Sequence, residues 1–158
     1  MLRLLNWANL TFETLQTLNT EIIMALGWID NIEKLTIEND TFRTVIFTGK
    51  YSQLTVMSIK VGEDIGNEVH PDHDQFLRIE QGKARVELGT SGAAVEETYN
   101  AEDDWAIIIP AGTWHNVVNT GDEDLKLYSI YSPAEHTDGT IHRTKAEADA
   151  AEAAEHTA

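Results

Sequence analysis

The chain has 158 residues, 11 Lys and Arg against 27 Asp and Glu, a formal net charge of −16, no cysteine and 42% hydrophobic residues. The length suits one domain around one core, and the apolar fraction excludes a disordered chain. The charge argues against nucleic acid and anionic membrane as partners. The missing cysteine excludes a disulfide framework, a thiolate metal site and a cysteine nucleophile, and no run of about 18 apolar residues offers a bilayer span.

In the first stretch, Leu5, Trp7, Leu10, Phe12, Leu15, Leu18, Ile22 and Leu26 are broken up by polar residues. That pattern does not fit a secretory signal, so the cytoplasm is the expected compartment. From Phe12 the spacing Leu15, Leu18, Ile22, Leu26 predicts an amphipathic helix in an N-terminal extension, residues 1–29, packed on the domain or on a partner subunit. A translation start at Met24 is the alternative reading.

From Asn31 the texture changes. Runs such as FRTVIFTG, SQLTVMSIKVG, NEVH, QFLRIEQG, ARVELG, AVEETYN, WAIIIPAG, HNVVNTG and LKLYSIYS alternate with Gly, Asp and Asn. This is the pattern of a small all-β sandwich or barrel, expected over 30–144. In QFLRIE, Gln75, Leu77 and Ile79 share one face, and Phe76, Arg78 and Glu80 the other. Turns are expected at Gly49-Lys50, 62–67, Gln81-Gly82, 89–92, 119–122 and Asp138-Gly139. Residues 145–158 are Ala- and Glu-rich with no bulky apolar face, which predicts a solvated helix or a disordered tail, with His156 inert.

Two segments carry the chemistry. Glu68 and His70 are two apart on a predicted strand, so both face one way. Gln75 opens the next strand and returns to that face after a polar turn. In the second segment, Pro110 and Gly112 make a turn that launches a strand bearing His115. Two imidazoles, one carboxylate and one amide oxygen converging in a barrel make a divalent-metal site, suited to Fe, Mn, Ni or Zn. His73 is an alternative to Gln75, but its place in HPDHD puts it at a turn tip. His136 and His142 are expected outside the barrel, Asn119 in a structural role, and Trp105 and Trp114 in packing.

At these residues the chain resembles the cupin superfamily. The family's first motif is G-x5-H-x-H-x3–4-E-x6-G and its second is G-x5-P-x-G-x2-H-x3-N. This chain reads Gly62-x5-Glu68-x-His70-x4-Gln75-x6-Gly82, then Pro110-x-Gly112-x2-His115-x3-Asn119. Every spacing is kept. Glu68 stands for the first His, Gln75 for the Glu, and Asp104 for the leading Gly of the second motif. The ending, 125–133 followed by His136 and 138–142, is similar to small bacterial cupins labelled mannose-6-phosphate isomerase-like. The resemblance implies a double-stranded β-helix, or jelly roll, holding one divalent transition metal on Glu68, His70, Gln75 and His115. It also implies a small molecule in the barrel and a homodimer through edge strands.

Two activities follow from such a site: isomerisation of a small polar molecule, or dioxygen chemistry if the metal is iron. The alternatives are a non-catalytic sensor or storage cupin, and a structural module with its barrel filled by side chains. A phosphosugar substrate is disfavoured, because it needs Lys or Arg beside the metal, and Arg78 and Arg85 have outward parity. No clear general base stands out; Tyr128 and Tyr131 are the candidates.

Overall fold

The structure, a computed structural model, describes residues 27–155. The helix expected over 12–26, the Met24 start and His156 lie outside the described residues. The β-branched and aromatic runs become strands: β1 (Arg43–Thr48), β2 (Gln53–Ile59), β3 (Asp74–Gln81), β4 (Lys83–Gly89), β5 (Glu97–Glu102), β6 (Ala106–Ile109), β7 (Trp114–Asn119), β8 (Leu125–Ser132) and β9 (Ile141–His142). Helices α1 (Ile32–Glu38) and α2 (Lys145–Glu155) flank them.

One sheet has six strands in the order β6-β3-β8-β2-β1-β9, and the other has three in the order β5-β4-β7. Every pairing is antiparallel. The segment expected as strand NEVH extends the smaller sheet by isolated bridges instead. Ile65 N donates to Val117 O at 3.1 Å, and Glu68 and His115 exchange both backbone bonds at 2.9 Å.

The two sheets meet over one hydrocarbon core. Leu77 and Ile79 of β3, Met57 and Ile59 of β2, and Leu125 and Leu127 of β8 pack with Ala84, Val86 and Val117 of the smaller sheet. Burying each Leu or Ile contributes roughly 1.5–3 kcal/mol. The alternation read in β3 holds: Gln75, Leu77 and Ile79 are buried, while Phe76 and Arg78 are half-exposed. Glu80 is also shielded, at 7% exposure. Helix α1 packs on β2, β3 and β8, and on that outer face it accompanies the burial of Val56, Ser58 and Lys126.

Helix α1 falls inside the segment expected to be barrel. Asn31 starts it, its Oδ1 accepting from Lys34 N at 3.0 Å. Seven residues are too few for helical periodicity to stand out in the sequence. The tail also differs from expectation. It is helical, as read, but not loose: Ala148 is 1% exposed, and Glu152 and Lys145 pair with Arg43 and Asp64 of the barrel. A methyl group suffices to dock a helix closely, so a bulky apolar face is not required. Gly82 turns β3 into β4 at φ 93°, where an added Cβ would lie 3.2 Å from Leu125 Cα. Among the described residues, no helix is long and apolar enough to cross a membrane.

Candidate metal centre

Three segments bring the side chains together. Strand β7 turns His115 inward with Val117. Its backbone bridge to Glu68 sets the preceding loop beside it. Gly112 N, in the turn that launches β7, donates to His70 O at 2.8 Å, which fixes the backbone of the second imidazole. Asp74 Oδ1 accepts from Ala111 N at 2.9 Å and ties the start of β3 to the same turn. Gln75 follows on the inner face, level with Ile109 and Tyr131.

Glu68 Oε1 lies 3.4 Å from His70 Nε2 and 3.3 Å from His115 Nε2. One ligand atom from each of the three lies within 4.8 Å of the others. Two donors each about 2.1 Å from a metal and 90–110° apart stand roughly 3.0–3.4 Å from one another, so these spacings fit a metal. None of the three atoms has hydrogen-bonding geometry to any partner, although all are buried. They lie close together without bonding one another.

His115 Nδ1 is 3.0 Å from Thr113 O. A carbonyl only accepts, so Nδ1 carries the proton and Nε2 presents its lone pair inward. Gln75 is 1% exposed. Its Nε2 donates to Ser129 Oγ at 3.1 Å, and its Oε1 is buried with no donor. A buried unpaired polar group costs about 1–3 kcal/mol. Four such atoms in one interior suit a bound cation. The metal-free electrostatics agree. Burial works against the Glu68 carboxylate, but the close approach of the His115 and His70 imidazoles outweighs it and holds the carboxyl well below its usual range. Burial also works against charged His70, and Glu68 overcomes it, raising that imidazole's pKa.

Several residues sit elsewhere than the sequence suggested. His73 is not at an exposed turn tip. It is buried, its ring stacks on His70 at 4.6 Å, and its Nε2 is 2.9 Å from Glu135 Oε2. Glu135 Oε1 is 3.6 Å from His70 Nδ1, so one carboxylate faces both imidazoles, and His70, His73 and Glu135 form a second possible ligand group. His136 is not outside the barrel either: its ring meets the Tyr131 ring edge-on at 5.1 Å. Buried Gln53 holds the His136 backbone in place, donating to its carbonyl at 2.7 Å and accepting from its N–H at 2.9 Å. Nothing in the local pattern of the 133–140 loop announces this fold-back; only the register of β2 against β8 reveals it.

Tyr128 belongs to the outer face, its ring 6.0 Å from Phe76. Tyr131 is buried, and burial pushes its hydroxyl pKa up, so it keeps its proton at neutral pH and offers no base. Asn119 is structural as expected: it donates to Ile59 O and Glu123 O and accepts from Gly121 N. Trp114 packs where a Cβ on Gly92 would come within 2.9 Å of its ring, whereas Trp105 is 50% exposed. Arg78 and Arg85 point away, paired with Asp104 and Glu87 respectively. A buried cation on the inner face of β1, Arg43, was missed by the sequence reading. It is 1% exposed and interacts electrostatically with Tyr131 and Glu68. In RTVIFT both faces carry apolar residues, Val45 and Phe47 on one and Ile46 on the other, so the sequence alone did not choose between them; the structure turns Arg43 and Val45 inward.

Two antiparallel sheets around a His/Glu group define a β-barrel protein with a candidate metal site. A cupin domain family model matches residues 55–131. The chain is 56% identical over 125 residues to the uncharacterized protein YrkC of Bacillus subtilis, covering 79% of this chain and 67% of that one. It is 43% identical over 115 residues to the uncharacterized protein L612 of Acanthamoeba polyphaga mimivirus, covering 72% and 70%. The crystal structure of BH2720 from Bacillus halodurans superposes with a TM-score of 0.79 at 51% identity, covering 81% of this chain and 97% of that one. The chain belongs to the cupin superfamily.

Proposed function

We propose that this cupin binds one divalent transition metal (Fe, Mn, Ni or Zn) through Glu68, His70, His115 and Gln75, and acts on a small polar molecule at that metal. The observation that supports it most is the buried, unpartnered atoms of Glu68, His70 and His115 gathered within 4.8 Å of one another, with a buried unpartnered oxygen on Gln75. When bound, the metal supplies Lewis-acid polarisation of a ligand oxygen, which serves an isomerase-like or oxygenase-like reaction. The chain's own residues do the rest. Thr113 O fixes the His115 tautomer. Glu135 steadies His70 and His73 from the loop that Gln53 clamps. Tyr131 keeps its proton and offers a hydrogen bond.

A second reading, a binding or storage cupin without turnover, draws on Glu68 itself. A carboxylate that ligates the metal is not free to act as a base. A homodimer remains part of the proposal, through exposed Tyr99 on edge strand β5 and exposed Ile108 on edge strand β6. The test is metal content by elemental mass spectrometry, for wild type and the His70→Ala, His115→Ala double variant. Near-stoichiometric metal that vanishes in the variant is expected. No metal under any loading condition overturns the proposal. Turnover of a screened sugar or phenol, lost in His115→Ala, removes the storage reading.

A further inference from the structure

The metal group leaves Arg43 unexplained. Its cross-strand partners are Met57 on β2 and His142 on β9. Its Nη1 meets Glu152 Oε1 of α2 at 3.1 Å, on a carboxylate whose side chain is 46% exposed. Its Nε is buried with no acceptor. Other buried polar atoms on the neighbouring elements also lack partners: Thr55 Oγ1 on β2, His142 Nδ1 on β9 and His136 Nε2 on the loop after β8. His136 and His70 both meet the Tyr131 ring, at 5.1 and 5.5 Å, which sets His136 beside the metal group, and Arg43 couples electrostatically to Tyr131 and Glu68.

We propose that Arg43, with His136 and His142, forms an anion subsite beside the metal group, and that the ligand of this barrel carries a carboxylate. The proposal rests on the metal reading above. A dication on Glu68 and a guanidinium in the same low-dielectric interior repel each other. Glu68 is then engaged by the metal, and Glu152 meets Arg43 through one Nη1 from a half-exposed position. An anionic ligand resolves both problems: it separates the two positive centres and gives Arg43 Nε its acceptor. The planar guanidinium matches a carboxylate's two oxygens. Arg43 supplies one fixed positive charge here, buried at 1% exposure, which suits a monoanion better than a phosphate dianion.

The experiment is calorimetric titration of the full chain, metal-free and Ni(II)-loaded, with glycolate and with its uncharged analogue glycolamide. Loaded wild type is expected to bind glycolate at least roughly tenfold tighter than glycolamide. Arg43→Gln is expected to lose that margin while its nickel content stays at the wild-type value. Glu152→Gln, which frees the guanidinium without touching it, is expected to bind glycolate severalfold tighter. The same margin in Arg43→Gln, or none in wild type, overturns the subsite. If Arg43→Gln does not fold, unchanged glycolate affinity in Glu152→Gln overturns it alone. The two proposals fail separately. Glycolate binding through Arg43 in a chain that takes up no nickel ends the metal reading and supports the subsite. Nickel uptake without charge preference ends the subsite only.

Discussion

Strand β3 runs from Gln75 at one end of the barrel to Ile79 at the other, β2 from Gln53 to Ile59, and β8 from Tyr131 to Leu125. In each, the same inward face changes from polar side chains to hydrocarbon within about two pleats. The hydrocarbon end holds Ile59, Ile79, Leu125 and Leu127, all 0% exposed. The polar end holds buried groups of two kinds, and the two glutamines separate them. Gln53 and Gln75 lie on either side of Tyr131 in one register row. Gln53 is fully bonded, to Thr48 and to both backbone groups of His136. Gln75 bonds only through its amide nitrogen and keeps a buried free oxygen. Burial is nearly equal, so burial does not separate the two glutamines; the unpaired acceptor does.

The largest expected effect lies at the hydrocarbon end. Leu127→Ala removes a fully buried side chain and should cost about 2–5 kcal/mol in urea unfolding. Metal bound per folded chain should not change. A loss of metal in proportion to stability would mean the two ends are not separable. Gln75→Glu probes the polar end. If the free oxygen faces the metal, a carboxylate there should tighten metal binding by roughly tenfold or more and destabilise the metal-free protein by about 1–3 kcal/mol. Destabilisation with no gain in affinity assigns Gln75 to orienting its neighbours instead.

The hydrocarbon end was legible in the sequence, and so was half of the polar end. Period-2 alternation placed Gln75 with Leu77 and Ile79, and the motif offsets placed Glu68, His70 and His115 together. What escaped depends on long-range pairing. Arg43 starts a strand whose two faces both carry apolar residues, with a bulge between Val45 and Phe47, so the sequence alone did not say which face turns inward. His73 and His136 reach the interior because Glu135 and Gln53 hold them there, through contacts between residues far apart in the chain, 83 apart for Gln53 and His136. Helix α2 looked unattached because its anchor, Arg43, was itself invisible.

A smaller effect is expected from the support behind the histidines. Glu135→Gln keeps the shape of the side chain that faces His70 and His73 but removes its charge. Metal affinity, measured by competition with a chelator, should fall about tenfold. An unchanged affinity would make the second His/Glu group an independent structural contact and sharpen the boundary of the polar end to the four proposed ligands.

The smallest effect is the pH dependence of the metal-free protein. Glu68 raises the pKa of His70 above the ordinary 6.5. The stability this contributes is fully present below the unfolded imidazole's pKa and is lost as pH rises through the raised folded value. Glu68 itself is held below its ordinary 4.5. Its contribution is present above that value and fades as pH falls toward the folded one. The pair therefore favours a window between about 4.5 and 6.5 in the absence of metal. Thermal melts of metal-free wild type across pH 4–9, set against His70→Gln, isolate this contribution: the variant should lose the decline above the window. The loaded protein should show the opposite slope there, because metal needs the imidazole deprotonated and binds more strongly as protons leave. Parallel pH profiles with and without metal would place the ion away from His70, and the polar end would need a different tenant.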